Sequence, residues 1–288
     1  MDKKVDLLNF FGFYDMIYKK EVACMEEGKQ KNYHKALVIF IDILGSKSKK
    51  SFEELYEIND TFHSQLLENE KNNLSHVVYQ RKIFTFSDCA YIIYDFKDGV
   101  EEERKKLGAL FEVALCNCEQ LFIKFLNKNF IFRGGVSYGD VYYESNRNLL
   151  FGPAINCAYQ LESSVAIYPR IAVEPYVAEK LLEHWYKVVA EMENPKTETE
   201  KQIYTLLGNP KIMQGCIIKK DFDGVYMVNY LNSIEINVDN ISLIHKTNAE
   251  FIDSFIMYCK EQIESNESKP NIVQKYNWLL NYMNSVTQ

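Results

Sequence analysis

A chain of 288 residues, 47% apolar and 14% aromatic, is long enough for one large domain or two small ones and can bury a substantial core. Its 33 basic and 40 acidic residues leave a formal charge of −7, which argues against a coat for nucleic acid or anionic membrane but allows a local basic cleft. No apolar run approaches the roughly 20 residues of a membrane span, the start Met1-Asp2-Lys3-Lys4 is polar, and the seven cysteines lack zinc-type spacing, so a cytoplasmic protein with buried, reduced thiols is expected.

In chain order, residues 5–28 read as an amphipathic helix ended by Gly28. Residues 36–43 are a buried strand by composition, broken at Gly45-Ser46, and a helix follows at 51–69. Strands at 76–84 and 89–95 flank a tight turn near Phe86-Ser87-Asp88. A long helix is predicted at 99–127 and a strand at 130–138. The loop 144–151 leads into a short helix over 153–163, with Pro153 at a favourable first position. A strand at 169–174, a helix at 175–186 and a polar insertion at 190–210 come next. Strands at 214–219 and 224–230 flank the turn Asp221-Phe222-Asp223-Gly224, and helices at 247–264 and 270–286 close the chain. This order predicts an α+β sandwich, a mostly antiparallel sheet with helices on one face. The expected division is an N-terminal helical segment (1–34), a main domain (35–232) and a C-terminal helical extension (233–288).

Two carboxylates stand at matching places in apolar strands. Asp42 sits in Phe40-Ile41-Asp42-Ile43-Leu44-Gly45, and Asp88 follows 46 residues later in Phe86-Ser87-Asp88-Cys89. An Asp among Val, Ile and Phe is costly to desolvate unless something pairs with it. Two on neighbouring strands would also repel, and a divalent cation resolves both problems with hard oxygen ligands.

Those two motifs, with Arg133-x-Gly135-x-x-x-Gly139 and Gly152-x-x-Ile155-Asn156-x-Ala158, resemble the class III nucleotide cyclase catalytic domain over residues 36–230. The resemblance implies a ferredoxin-like fold and two Mn²⁺ or Mg²⁺ ions per site, held by Asp42, Asp88 and the Ile43 carbonyl. It implies backbone N–H groups of Gly45 and Ser46 on phosphate, Asn156 orienting the ribose, and Lys219 or Lys220 reaching a phosphate. It also implies a homodimer, each site joining the Asp pair of one subunit to Asn156 and the lysine of the other.

The departures are informative. The two positions that read a purine in that family are Phe84, four residues before Asp88, and Leu149, seven before Asn156. An apolar pair cannot hydrogen-bond a purine edge, and stranding a buried polar base group costs about 1–3 kcal/mol. A pyrimidine is therefore expected. With Phe40, Ile43, Gly45 and Tyr159, these make the expected substrate-facing set. Gln160 stands where the family has an arginine, so either the activity is lower or another cation, Arg170 or Arg133, replaces it, and Glu162 is a candidate ion-pair partner for one of these two.

A narrower set of features includes Phe132-Arg133-Gly134-Gly135, Gly152-Pro153-Ala154, Ala158-Tyr159-Gln160-Leu161-Glu162-Ser163, Tyr168-Pro169-Arg170-Ile171, Asp221-Phe222-Asp223-Gly224 and Lys275-Tyr276-x-Trp278-Leu279. These look like the bacterial pyrimidine cyclases of the Pycsar anti-phage system. That resemblance implies a uridylate or cytidylate cyclase using UTP or CTP. Its 3′,5′-cyclic product would switch on an effector without direct contact between the two proteins.

Overall fold

Strand β1 (His34–Ile43) alternates its side chains between two apolar layers, as the period of two requires. Leu37, Ile39, Ile41 and Ile43 enter the main core, and Ala36, Val38 and Phe40 enter a smaller cluster on the opposite face. The structure is a computed structural model and describes residues 31–45, 51–70, 77–207, 216–231 and 242–286. The predicted helix 5–28 and Ser46 lie outside the described residues.

After β1 come α1 (Phe52–Glu70), β2 (Tyr79–Phe86), β3 (Cys89–Phe96), α2 (Leu107–Asn127) and β4 (Phe132–Glu144). Then follow β5 (Leu149–Phe151), α3 (Pro153–Gln160), a π-turn at Leu161–Val165, β6 (Ile171–Val173) and α4 (Pro175–Glu193). The remaining elements are α5 (Glu198–Leu207), β7 (Ile218–Lys220), β8 (Tyr226–Val228), α6 (Ser242–Ser265) and α7 (Pro270–Val286). The sheet order is β2-β3-β1-β4-β6-β8-β7, with β5 paired to β4 alone. The first four strands give the ferredoxin-like β-α-β-β-α-β pattern, antiparallel throughout, and β6 joins β4 in parallel. The fold class is α+β, as the order of elements predicts.

Several boundaries differ from the sequence-based expectation. The helix expected at 99–127 begins at Leu107, behind a 3₁₀ turn at Glu102–Arg104, because apolar periodicity starts only at Leu107. The polar insertion at 190–210 contains the end of α4 and all of α5. Strands expected at 214–219 and 224–230 shorten to three residues each. Helices cover both faces of the sheet: α3 packs on the second cluster through Ala154, Ile155 and Ala158, while α1, α2, α4, α6 and α7 line the main core.

Residues 34–288 group as one compact unit. The reason is shared burial: Phe251, Phe255, Leu279 and Met283 lie in the same core as the sheet. Among the described residues, no helix is long and apolar enough to cross a membrane. Cys118 and Cys259 are buried free thiols, but Cys116 is exposed.

Candidate functional site

The end of β1 and the β2–β3 turn meet. Ser87 adopts φ 55°, which closes a two-residue turn between Phe86 and Cys89. Asn59 of α1 donates its side-chain amide to the Ser87 carbonyl at 2.8 Å. The Ile43 N–H donates to the Asp88 carbonyl at 3.1 Å, and Asp42 faces Cys89 across the β1–β3 ladder. Both sequence-predicted carboxylates thus stand at adjacent strand ends, each half-buried. The Cys89 thiol between them is pushed up to about 11, first by burial and then by the charges of Asp88, Asp42 and Glu162. Gly45, exposed at φ 79°, follows directly.

On its other side Asp42 faces Arg133 of β4. Arg133 Nε lies 3.7 Å from Asp42 Oδ2 and 2.5 Å from Glu162 Oε1, the latter pair buried and not aligned as a hydrogen bond. Glu162 is 2% exposed, and burial raises its carboxyl, reinforced by Asp42 and opposed by Arg133. The π-turn after α3 delivers Glu162 to this position. Such turns interrupt helices most often at functional sites. Of the two partners expected for Glu162, it takes Arg133.

Close approach of α3 to β4 explains the glycine motif. A side chain at Gly135 would meet the Ala158 carbonyl oxygen at 2.1 Å and the Leu161 Cβ at 2.7 Å. Gly152, at φ 144°, turns the chain into α3 where a Cβ would strike the Asp140 carbonyl oxygen at 2.4 Å. The buried Ser137 hydroxyl donates to the Ala154 carbonyl at 2.6 Å and fixes the contact.

The expected base-facing residues are mostly floor. Phe84 and Phe40 are 3% and 4% exposed, packed with Tyr91, Tyr143 and Leu150. In the single chain both rings lie beneath the surface of that cluster. Phe40 lies 4.4 Å from Tyr91 and 5.8 Å from Tyr159, centroid to centroid. Tyr159, Asn156 and Gln160 are exposed on α3, and Leu149 is half-buried on β5. Beside this floor the Tyr143 hydroxyl donates to buried Asp95 at 3.0 Å and accepts from Gln80 at 3.2 Å, a polar network the sequence reading missed.

Arg170 is a correction. Expected as a catalytic cation, it is 1% exposed and spends its guanidinium on Asp221 (2.5 Å), Asp223 (2.8 and 2.6 Å) and the Val165 carbonyl (3.0 Å). It holds the β7–β8 turn to the sheet. Lys220 is exposed with its ammonium 4.8 Å from the Tyr226 ring centroid, and Lys219 stands 4.1 Å from that of Tyr282.

Lys275 of α7 was noticed only as part of a motif. Burial lowers its proton affinity, Arg133 lowers it further and Asp42 opposes both. The available signal was a lysine on the apolar stripe of an amphipathic helix, four residues before buried Leu279.

Among the described residues, no three or more His, Cys, Asp or Glu side chains are grouped to hold a metal ion. Asp42, Asp88 and the Ile43 carbonyl are the groups that could do so here. Mg²⁺ commonly needs only one or two carboxylates when substrate phosphates complete its shell. The hard oxygen donors and the negative field at Cys89 fit such an ion.

Neither a family model nor a curated protein matches this chain. Among solved structures, it is similar to a bacterial light-regulated adenylyl cyclase at a TM-score of 0.42 and 14% identity, over 62% of this chain and 59% of that one. A second structure of a bacterial light-regulated adenylyl cyclase gives 0.40 and 15% identity over the same shares, 62% and 59%. The chain therefore spans less than two thirds of the length of those proteins.

Proposed function

We propose that this chain is a nucleotide cyclase acting on a pyrimidine nucleoside triphosphate, UTP or CTP, and working as a homodimer. The observation that carries the reading is the pairing of Asp42 and Asp88 at adjacent strand ends, locked by the Ile43 N–H to Asp88 carbonyl bond of 3.1 Å. Two half-buried carboxylates on adjacent strand ends disfavour each other's charge, and a divalent cation would relieve that cost. Asp42, Asp88 and the Ile43 carbonyl would hold Mn²⁺ or Mg²⁺, two ions per site, which when bound would activate the 3′-hydroxyl and offset the charge of the triphosphate.

The reaction is an in-line attack of the ribose 3′-oxygen on the α-phosphorus. The O3′–P bond forms, the bond to the β-phosphate oxygen breaks, pyrophosphate leaves and the hydroxyl proton is lost. The protein contributes positioning and charge. Asn156 of the partner subunit orients the ribose, and Lys220 of the partner subunit reaches the phosphates. Phe84 and Leu149 stand where the family's polar pair reads a purine, and the buried rings of Phe40 and Phe84 underlie half-buried Tyr91 as the floor on which the small base would rest. The motif set shared with the anti-phage pyrimidine cyclases supports a cyclic mononucleotide messenger as the product.

The test is incubation of purified protein and Mn²⁺ with each of the four triphosphates, with products resolved by mass. A metal-dependent 3′,5′-cyclic pyrimidine monophosphate is expected, lost in D42A and D88A. A purine product, or no metal-dependent product from any of the four, overturns the reading.

A further inference from the structure

We propose that Glu162 draws Arg133 away from Asp42 and so keeps the Asp42 carboxylate competent to bind a divalent cation. Glu162 is then a positioning residue for the metal site, a role that rests on the cyclase reading in taking Asp42 as a metal ligand.

Arg133 and Asp42 are direct partners in the β1–β4 ladder, so their side chains share one face of the sheet. Opposite charges placed this way form a cross-strand ion pair by default. Here the guanidinium does not close on Asp42. Its Nε stops 3.7 Å from Asp42 Oδ2 and lies 2.5 Å from Glu162 Oε1. The Glu162 side chain is 3% exposed, against 27% for Asp42. Attraction between charges grows as they leave water, so the deeper carboxylate has the stronger hold on the guanidinium. At that depth Glu162 is enclosed by protein and acts through Arg133.

The place of Glu162 is set from both ends of its turn. It belongs to the π-turn Leu161–Val165, which follows α3. Upstream, α3 is seated so closely on β4 that a Cβ at Gly135 would stand 2.1 Å from the Ala158 carbonyl oxygen. Downstream, the Ala166 N–H donates to the Leu161 carbonyl at 2.8 Å and closes the turn. The Val165 carbonyl accepts from Arg170 Nη2 at 3.0 Å, and Arg170 is itself fixed by Asp221 and Asp223. The buried arginine thus braces the turn that aims Glu162.

A competition follows. A guanidinium bonded to Asp42 and a divalent cation held by Asp42 draw on the same oxygens. With Glu162 in place, Arg133 is held back. Without it, Asp42 is the carboxylate left within reach of Arg133, and an arriving ion must displace the guanidinium.

The experiment is Mn²⁺ titration of the full chain without nucleotide, in buffer well above the carboxylate range, with free Mn²⁺ read by electron paramagnetic resonance. Wild type should bind, and D42N should lose that binding. E162Q should raise the Kd about tenfold, within the usual scale of coupling between sites. R133Q should bind at least as tightly as wild type, and adding E162Q to R133Q should cost much less than it costs alone. Simple loss of a negative charge predicts the same cost in both backgrounds. That equal cost, an unchanged Kd in folded E162Q, or a wild type that binds no Mn²⁺ overturns the role of Glu162. Should R133Q unfold by leaving Glu162 unpaired, a crystal structure of E162Q decides. A guanidinium hydrogen-bonded to Asp42 upholds the role, and a guanidinium still turned to position 162 overturns it. The two readings fail separately. Wild type that shows this Mn²⁺ pattern yet turns over no triphosphate sinks the cyclase and keeps the role of Glu162. Pyrimidine product formed by wild type, with E162Q binding Mn²⁺ as tightly, sinks the role of Glu162 and keeps the cyclase.

Discussion

The Ile43 N–H donates to the Asp88 carbonyl at 3.1 Å, which ties the end of β1 to the β2–β3 turn one residue beyond Asp42. The bond is made by backbone, so the main chain at Asp42 and Asp88 keeps its relative placement whatever the protonation state of the carboxylates. A site that must be set before a cation arrives is what this geometry supplies.

Thermal unfolding should therefore report metal binding directly. Mn²⁺ with a non-hydrolysable pyrimidine triphosphate should raise Tm in wild type, as a ligand at a hundred times its Kd adds about 2.7 kcal/mol. D42N and D88N should unfold near the metal-free wild-type temperature and show no such rise. A full Mn²⁺-dependent shift in D42N would remove Asp42 from the site.

Trp278 couples the C-terminal helix to the β7–β8 turn through Asp221 and is 7% exposed. W278A should cost about 3–5 kcal/mol by opening a cavity against Tyr168 and Tyr282. W278F should cost less, about 1–2 kcal/mol, chiefly the lost hydrogen bond. Urea midpoints for the two variants check the order.

Asp223 is held below the usual carboxylate range, first by its hydrogen bond from Arg170. A carboxylate with a depressed folded pKa contributes stability that is present above its unfolded pKa of about 3.9 and lost as pH falls through the folded value. Acid unfolding below about pH 4 should therefore be shallower in D223N than in wild type. Removing the other partner is harsher: R170M leaves two carboxylates against a buried site and should cost about 3–5 kcal/mol at neutral pH.

G135A places a methyl group against the Ala158 carbonyl oxygen, 2.1 Å away on the present backbone. Helix α3 must move, and overpacking of this kind costs about 1–3 kcal/mol. Because the π-turn that carries Glu162 follows α3, the same variant should loosen Arg133. Guanidinium denaturation measures the first effect, and the rate of metal-dependent turnover of the pyrimidine triphosphates measures the second.

Much of this arrangement was legible in the residues. The run Ala36–Ile43 reads as a strand buried on both faces, and it is one, because each parity of its side chains finds its own apolar cluster. The order of elements yields the antiparallel β-α-β-β-α-β core, and Ser87-Asp88 reads as the turn. The fate of the charged side chains was less legible. Arg133 and Arg170 look equivalent in sequence, each in a short strand motif near a glycine or proline. Burial separates them: Arg170 is enclosed by Asp221 and Asp223, more than 50 positions later, as its hydrogen bonds show sequence separations of 51 and 53.

The order of strands and helices and the choice of Asp42 and Asp88 were determined by the sequence itself, since hydrophobic periodicity and turn chemistry act over a few neighbouring residues. Which cation stands beside Asp42, that Glu162 lies behind it, and that Arg170 is enclosed by Asp221 and Asp223 were decided by tertiary structure alone. Partners of that kind are selected by packing across the whole domain, and no local pattern encodes which distant charge fills a given gap.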